Sequence, residues 1–169
     1  MVEVTVSRLG LDAASSAFVV VLEDKRGQRT LPIWIGRPEA EAIAAHLNGV
    51  KRERPMTHDL AQQIVTGLGG LLRRVQVTHV HDGTYHAELH LTRGGQVVIV
   101  DARPSDAIAV ALRLGAPIFV AEALFSDDSD ESLRPSAAGA GGEDDPLSAD
   151  ELKRHLAQLR PEDFGRFTP

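Results

Sequence analysis

Apolar and polar residues follow two different periods along the first 125 residues of the chain. Alternation with a period of two is typical of β-strands with one buried face, because successive side chains point to opposite sides of a sheet. This alternation, together with short β-branched apolar runs, predicts seven strands, at residues 2–9, 17–22, 30–35, 71–80, 84–91, 97–100 and 117–120.

Three further segments have apolar residues three and four positions apart, the spacing of an amphipathic helix. The second of these predicted helices places Leu60, Ile64 and Leu68 on one face. Glycine follows each segment and is a common helix terminator. The predicted helices cover residues 38–48, residues 57–68, and a segment through Ile108, Ala111 and Leu112 that ends at Gly115.

Turn residues join most of the predicted strands in pairs. Asp82-Gly83 and Gly94-Gly95 are typical two-residue hairpin turns, and residues 25–28 connect the second and third strands. The element order is β-β-β-α-α-β-β-β-α-β. Since hairpins dominate, we expect an α+β domain with a mostly antiparallel sheet and about three helices packed on it.

The composition changes after residue 125. Residues 126–147 are rich in Asp, Ser, Ala and Gly, which predicts a disordered acidic linker. Residues 148–169 begin with the capping-box pattern from Ser148 to Glu151, which predicts a short helix followed by a tail. The expected organisation is one domain over residues 1–125 with a flexible acidic C-terminal tail.

The net charge of −6 comes entirely from this C-terminal part. Residues 1–125 contain 13 basic and 13 acidic residues, whereas residues 126–169 contain 5 basic and 11 acidic ones. No broad basic field therefore attracts nucleic acid, and any phosphate binding must be local. The chain contains no cysteine, which excludes disulfides and thiolate metal sites. No signal peptide or membrane-length apolar run is visible, so we expect a cytoplasmic protein without membrane contacts.

An Arg-Pro pair precedes or begins each predicted helix, at residues 37–38, 54–55 and 103–104. Proline suits the first turn because its missing N–H would be unpaired there in any case. Arginine opposes the helix dipole, so its placement favours an anion or a carboxylate at that end. The candidate phosphate-binding residues are Arg37, Arg54, Arg103 and, in the first turn of the third helix, Ser105.

Carboxylates lie close to these arginines in the sequence. Asp101 ends a strand at a strand-to-helix junction, and Asp106 follows Arg103. The two carboxylates could bind a divalent metal or act as acid and base. The alternative is that they, like Glu39, Glu41 and Asp59, compensate the helix dipoles and form internal salt bridges.

The sequence Thr57-His58-Asp59 is a second candidate catalytic site. His58 could transfer protons, oriented by Asp59 or by another carboxylate. The alternative is that Thr57 caps the helix and His58 is merely exposed in its first turn. Four further histidines surround the Asp82-Gly83 turn, at spacings that fit solvent-facing strand positions better than a metal cluster.

Several ordered motifs resemble the bifunctional nuclease (BFN) domain family. They are residues 31–36 (LPIWIG), Glu39-Ala40 with Ile43-Ala44, residues 54–59 (RPMTHD), residues 101–109 (DARPSDAIA) and residues 116–120 (APIFV). The resemblance covers nearly all of residues 1–125. It implies a small α+β domain that acts on DNA and RNA and forms a homo-oligomer.

We therefore hypothesise a nuclease that hydrolyses phosphodiester bonds in DNA and RNA. Its candidate catalytic residues are Asp101, Asp106, His58 and Asp59, with Asp101 and Asp106 as candidate ligands of a metal such as Mg²⁺ or Mn²⁺. The alternative is a non-catalytic regulatory module that binds nucleic acid or protein and oligomerises through its Arg–carboxylate motifs. A site for a small phosphate or nucleotide at the same helix ends is a third possibility.

Overall fold

The computed structural model describes residues 1–12 and 17–125. Its strands are β1 (Val2–Asp12), β2 (Ala17–Asp24), β3 (Thr30–Ile35), β4 (Leu71–His81), β5 (Thr84–Arg93), β6 (Gln96–Ala102) and β7 (Ile118–Val120). Its helices are α1 (Arg37–Leu47), α2 (Thr57–Gly67) and α3 (Pro104–Leu114), and the described part ends in a short 3₁₀ helix, Glu122–Phe125.

The seven strands form one sheet in the order β3-β2-β1-β7-β4-β5-β6. Every neighbouring pair is antiparallel except β4 and β7, which are parallel. The predicted α+β class with a mostly antiparallel sheet and three helices is therefore confirmed, and so is the order of the elements. The 3₁₀ helix was not expected from the sequence.

Helix α3 lies at the centre of the helical layer. It packs against β4 and β5 of the sheet and against both other helices. It ends at Gly115, whose left-handed backbone (φ 64°) suits a residue without a Cβ atom. The fully buried side chains of the core come from the sheet and from α1 and α3, and the largest are Leu22, Leu31, Ile43, Ile108, Val20, Val75, Val77 and Val120.

Two apolar surfaces stay exposed. On α2, Leu60 and Ile64, continued by Leu68 at the C-cap, form a face that points away from the core, and no residue of this helix is fully buried. At the edge of the sheet, β6 exposes all four of its apolar side chains in residues 97–100. Continuous apolar runs are common in strands covered on both faces, but this one lies in an edge strand.

The predictions for the C-terminal linker and helix fall on residues 126–169, outside the described residues. Within the described ranges, no helix has the length and apolar character needed to span a bilayer.

Candidate functional site

The first turns of α2 and α3 meet, and this brings two distant side chains together. His58 is the second residue of α2, and Asp106 is the third residue of α3. Nε2 of His58 lies 3.0 Å from Oδ1 of Asp106. The helices are also joined further along, where the Gln62 side-chain amide donates a hydrogen bond to the carbonyl of Arg113 at 2.9 Å.

The start of α2 differs from the simplest sequence-based interpretation. The N-cap residue is Met56, so the idea that Thr57 caps the helix is wrong. The Met56 N–H is bound instead by the carboxylate of Asp59, at 2.9 Å. His58 is not merely exposed in the first turn, because only 14% of its side chain is accessible and it faces Asp106. The carboxylate that orients it is therefore Asp106.

Arg103 links two carboxylates from different helices. Its Nε and Nη2 donate to the two oxygens of Asp106, at 2.9 and 3.3 Å. Its Nη1 donates to Oε1 of Glu39 on α1, at 2.8 Å. A guanidinium has five N–H donors, and since these contacts use three of them, two remain for a ligand. The side chain is 65% exposed, so a ligand can reach it.

The electrostatics of this network keep Asp106 ionised. Burial raises the pKa of the Asp106 carboxyl, but the hydrogen bonds from Arg103 and His58 outweigh this effect, and the pKa lies below its ordinary value. The pKa of Arg103 is raised, first by its hydrogen bond to Asp106 and then by that to Glu39. Since an ionised carboxylate only accepts hydrogen bonds, Nε2 of His58 must carry the proton that it shares with Asp106.

Asp59 belongs to a separate contact, with Arg113. Arg113 is 6% exposed, and its Nε donates to Oδ1 of Asp59. Its two other nitrogens donate to the carbonyls of Ala109 and of Ala42 in α1, at 3.0 and 3.1 Å. Burial raises the pKa of the Asp59 carboxyl, but hydrogen bonds from Arg113 and the Met56 N–H lower it more. Arg113 thus holds the three helices together beneath the site.

A cavity of about 530 Å³ opens over these groups. It is lined by α1, by part of the loop before α2 and by the first turns of α2 and α3. Its ionisable lining includes Glu39, His58, Asp59, Arg103 and Asp106. A cavity that combines a proton-carrying side chain with an accessible guanidinium can bind an anionic ester and activate water.

The structure brings together some of the sequence-predicted site residues and separates others. His58, Asp59, Arg103 and Asp106 share the cavity. The remaining four do not line it: Arg37 pairs with Glu41 at 3.0 Å, Arg54 is exposed, Ser105 is buried beside a second cavity, and Asp101 lies opposite Glu88 on the β5–β6 pair.

Two contributors lie outside the catalytic and phosphate-binding residues predicted from the sequence. Glu39 was expected to compensate a helix dipole and form an internal salt bridge, and it forms such a bridge with the guanidinium of Arg103. Arg113 was not singled out at all. Its position seven residues after Asp106 puts it on the same face of α3, two turns along, and this spacing was the available signal.

The candidate metal pair Asp101 and Asp106 does not line one common cavity. Among the described residues, no group of three or more His, Cys, Asp or Glu side chains has an arrangement that could hold a metal ion. Histidines 79 and 86, from the cluster around the Asp82-Gly83 turn, stack on each other with their ring centroids 4.6 Å apart.

Comparison with known proteins supports the resemblance of the motifs. A family model described as the bifunctional nuclease domain matches residues 20–132. An uncharacterized protein of Mycobacterium tuberculosis is 39% identical over 171 residues, which cover 97% of this chain and 98% of that protein. Bifunctional nuclease 2 of Oryza sativa subsp. japonica is 31% identical over 160 residues, covering 90% of this chain and 49% of the rice protein.

Bifunctional nuclease 2 of Arabidopsis thaliana is 36% identical over 120 residues, covering 69% of this chain and 36% of the plant protein. The chain therefore spans about half or less of the length of these two plant relatives.

Proposed function

Because the chain belongs to the bifunctional nuclease domain family, we propose that it is a nuclease that hydrolyses phosphodiester bonds in DNA and RNA. The observation that carries the proposal is the hydrogen-bonded series His58–Asp106–Arg103 at the wall of the cavity. It combines a side chain that can move a proton, a carboxylate that orients it, and a cation for the phosphate.

In this proposal His58 activates the attacking water. Asp106 binds the protonated Nε2, which fixes the tautomer and leaves the lone pair on Nδ1. Nδ1 accepts a proton from water as the oxygen attacks phosphorus, and the ester oxygen leaves and is protonated by solvent. Asp106 stabilises the imidazolium that forms, in the way that a buried carboxylate supports other catalytic histidines.

Arg103 binds the phosphate. Its two remaining N–H donors are free to contact non-bridging oxygens, whose charge increases in the transition state. It is also the N-cap of α3, and the unpaired N–H groups of a first helical turn favour an anion at the same place. Glu39 and Asp106 neutralise part of the guanidinium charge, so we expect moderate affinity for phosphate alone.

A divalent ion such as Mg²⁺ or Mn²⁺ would be held, in this proposal, by Glu39 or Asp106 together with phosphate oxygens. Both carboxylates line the cavity, whereas Asp101 does not. Such an ion would supply charge neutralisation at the phosphate.

The proposal is tested by assaying the purified protein on single-stranded and duplex DNA and RNA, with EDTA and with added divalent ions. Asp106→Ala should lose most of the cleavage, because His58 is then no longer oriented. Asp101→Ala should stay within about twofold of wild type, since its carboxylate lies on β6 outside the cavity. The absence of cleavage of every substrate under all ion conditions would refute the proposal.

The second candidate function is a non-catalytic module that binds nucleic acid or protein. The observation that favours it is that Arg103 and Arg113 both have carboxylate partners within the chain, as in a purely structural network. These intrachain pairs do not favour oligomerisation through the Arg–carboxylate motifs, since their charges already neutralise each other. Saturable binding of oligonucleotide without cleavage would support the module.

We also propose that the protein is a homo-oligomer, with β6 as the contact between two copies. Val97 and Ile99 are 67% and 56% exposed on this edge strand, and its residues 96–100 include no charge and no proline to prevent pairing. Arg93 lies beside one end of β6 and Glu88 beside the other. Antiparallel pairing of two β6 strands would place the acidic end of one copy next to the basic end of the other. The cysteine-free composition supports a cytoplasmic location for this assembly.

A further inference from the structure

One face of α2 is apolar and largely open to solvent. Leu60, Ile64 and, at the C-cap, Leu68 are each about half exposed and follow one another at four-residue intervals, so they form a row about 12 Å long. We call this the apolar row of α2. Single exposed apolar side chains are common on proteins, but a continuous row along one helix indicates a contact surface for another element.

The contacts within the domain bury little of α2. None of its residues is fully buried, and its links to α3 include the His58–Asp106 pair and the hydrogen bond from Gln62 to Arg113. Helices in proteins gain most of their stability by burying an apolar face. An element that covers the apolar row would therefore stabilise α2 and, with it, the position of His58.

A segment of the C-terminal sequence has a matching pattern. Residues 148–159 begin with a capping box and place Leu152, Leu156 and Leu159 on one side of a predicted helix, over about 10.5 Å. This segment lies outside the described residues, so its helix is a prediction from the sequence. Isolated helices this short are marginal in water, so the segment needs a surface that covers its leucines.

The connection between the domain and the segment is long enough for a contact within one molecule. Residues 126–147 separate the end of the described part, Phe125, from the segment. These 22 residues reach up to about 73 Å when extended, far beyond the radius of gyration of about 13 Å of a 100-residue domain. Such a tether keeps the segment at a roughly millimolar effective concentration, so a weak contact is enough.

The match with the Mycobacterium tuberculosis relative extends through this segment. It covers 97% of this chain and 98% of the relative, so about five of the 169 residues lie outside it and residues 148–159 lie within it. The family model ends at residue 132. The segment is thus common to both chains, although it lies beyond the domain that the family model matches.

We propose that residues 148–159 form a helix that packs its three leucines on the apolar row of α2 in the same molecule. The row suits a helix, whereas the other open apolar surface, β6, presents unpaired backbone groups that another strand would satisfy. The docked segment stabilises α2, the helix that carries His58. This contact does not depend on the proposed nuclease activity, because no substrate takes part in it.

Disulfide formation tests the contact in the full-length chain, because the sequence contains no cysteine of its own. Ile64→Cys/Leu156→Cys replaces the central residue of each row, so the two positions meet whether the helices pack parallel or antiparallel. Under mild oxidation this pair should form an intrachain disulfide in about tenfold higher yield than Thr5→Cys/Leu156→Cys. Thr5 is exposed and follows the buried Val4 on β1, so it points away from the helical layer.

Peptide mass spectrometry identifies the disulfides, and size-exclusion chromatography under denaturing, non-reducing conditions separates links within one chain from links between two. Equal yields for the two pairs would overturn the proposal. A disulfide that joins the two positions in different copies would also overturn it, since the segment would then cover α2 of a second copy.

Hydrogen exchange measures what the contact does to α2. Leu152→Glu/Leu156→Glu places charges on the leucine side of the segment and should speed exchange of the α2 amides about tenfold or more. Ala157→Glu/Gln158→Glu adds the same two charges on another side of the predicted helix and should leave this exchange as in wild type. Slow exchange in β4 shows that a variant is folded. Unchanged α2 exchange in the folded leucine variant would mean that the segment does not dock there.

Discussion

The imidazole of His58 and the carboxylate of Asp106, 48 residues apart in the sequence, meet at 3.0 Å where the first turns of α2 and α3 converge. Arg103 binds the other side of the same carboxylate. Asp106 is therefore the centre of the candidate site, because it contacts both His58, the proposed proton carrier, and Arg103, the proposed phosphate-binding cation.

Removal of the Asp59–Arg113 contact should destabilise the fold more than removal of an exposed ion pair. Arg113→Ala deletes a buried guanidinium that binds all three helices, and we expect a loss of about 3 kcal/mol in the free energy of unfolding. Arg37→Ala breaks the partly exposed pair with Glu41 and should cost about 0–1 kcal/mol. Urea denaturation measures the free energy of unfolding of both variants. Equal losses of this free energy would show that Arg113 does not hold the three helices together.

The protein should lose stability in acid through Asp59 and Asp106. Both carboxyls have a pKa below the ordinary value in the folded state, so each stabilises the fold at pH above the unfolded pKa of about 3.9. This contribution disappears as the pH falls from there through the lower folded pKa. Urea denaturation between pH 7 and pH 3 should show the decline. An Asp59→Asn variant should decline less steeply, and an unchanged slope would contradict this assignment.

Charges on β6 should dissociate the proposed oligomer. The double variant Val97→Lys/Ile99→Lys places two cations on the exposed edge strand, which opposes strand pairing. Light scattering after size-exclusion chromatography should then give the monomer mass, whereas the wild type gives a multiple of it. Ile64→Lys on the exposed face of α2 is the matched control and should keep the wild-type mass. If only the α2 variant dissociates, the interface lies on that helix.

The secondary-structure elements that depend on neighbouring residues, such as tight turns and amphipathic helices, could be predicted from the sequence. The hairpin turn at Asp82-Gly83 could be predicted because this pair of residue types is common where both φ angles are positive. The two residues adopt φ angles of 48° and 72°. The α+β class followed from these hairpins and from the helical spacing between them.

The features that depend on long-range packing could not be predicted. A run such as residues 97–100 is typical of a buried strand as well as of an exposed one, and only the strand order places it at the edge. The partner of His58 is set by how α2 packs on α3, and no local pattern distinguishes Asp106 from the adjacent Asp59. Asp101 was a candidate because it lies near Arg103 in the sequence, but the strand places its carboxylate outside the cavity.

His58 is the proposed proton carrier in phosphodiester cleavage, and initial rates on single-stranded DNA and RNA measure its contribution. His58→Ala should reduce the rate about 10²-fold or more, the usual contribution of a general base. His81→Ala removes a highly exposed histidine outside the cavity and should keep the wild-type rate. A His58→Ala protein that cleaves as fast as wild type would show that His58 does not transfer the proton.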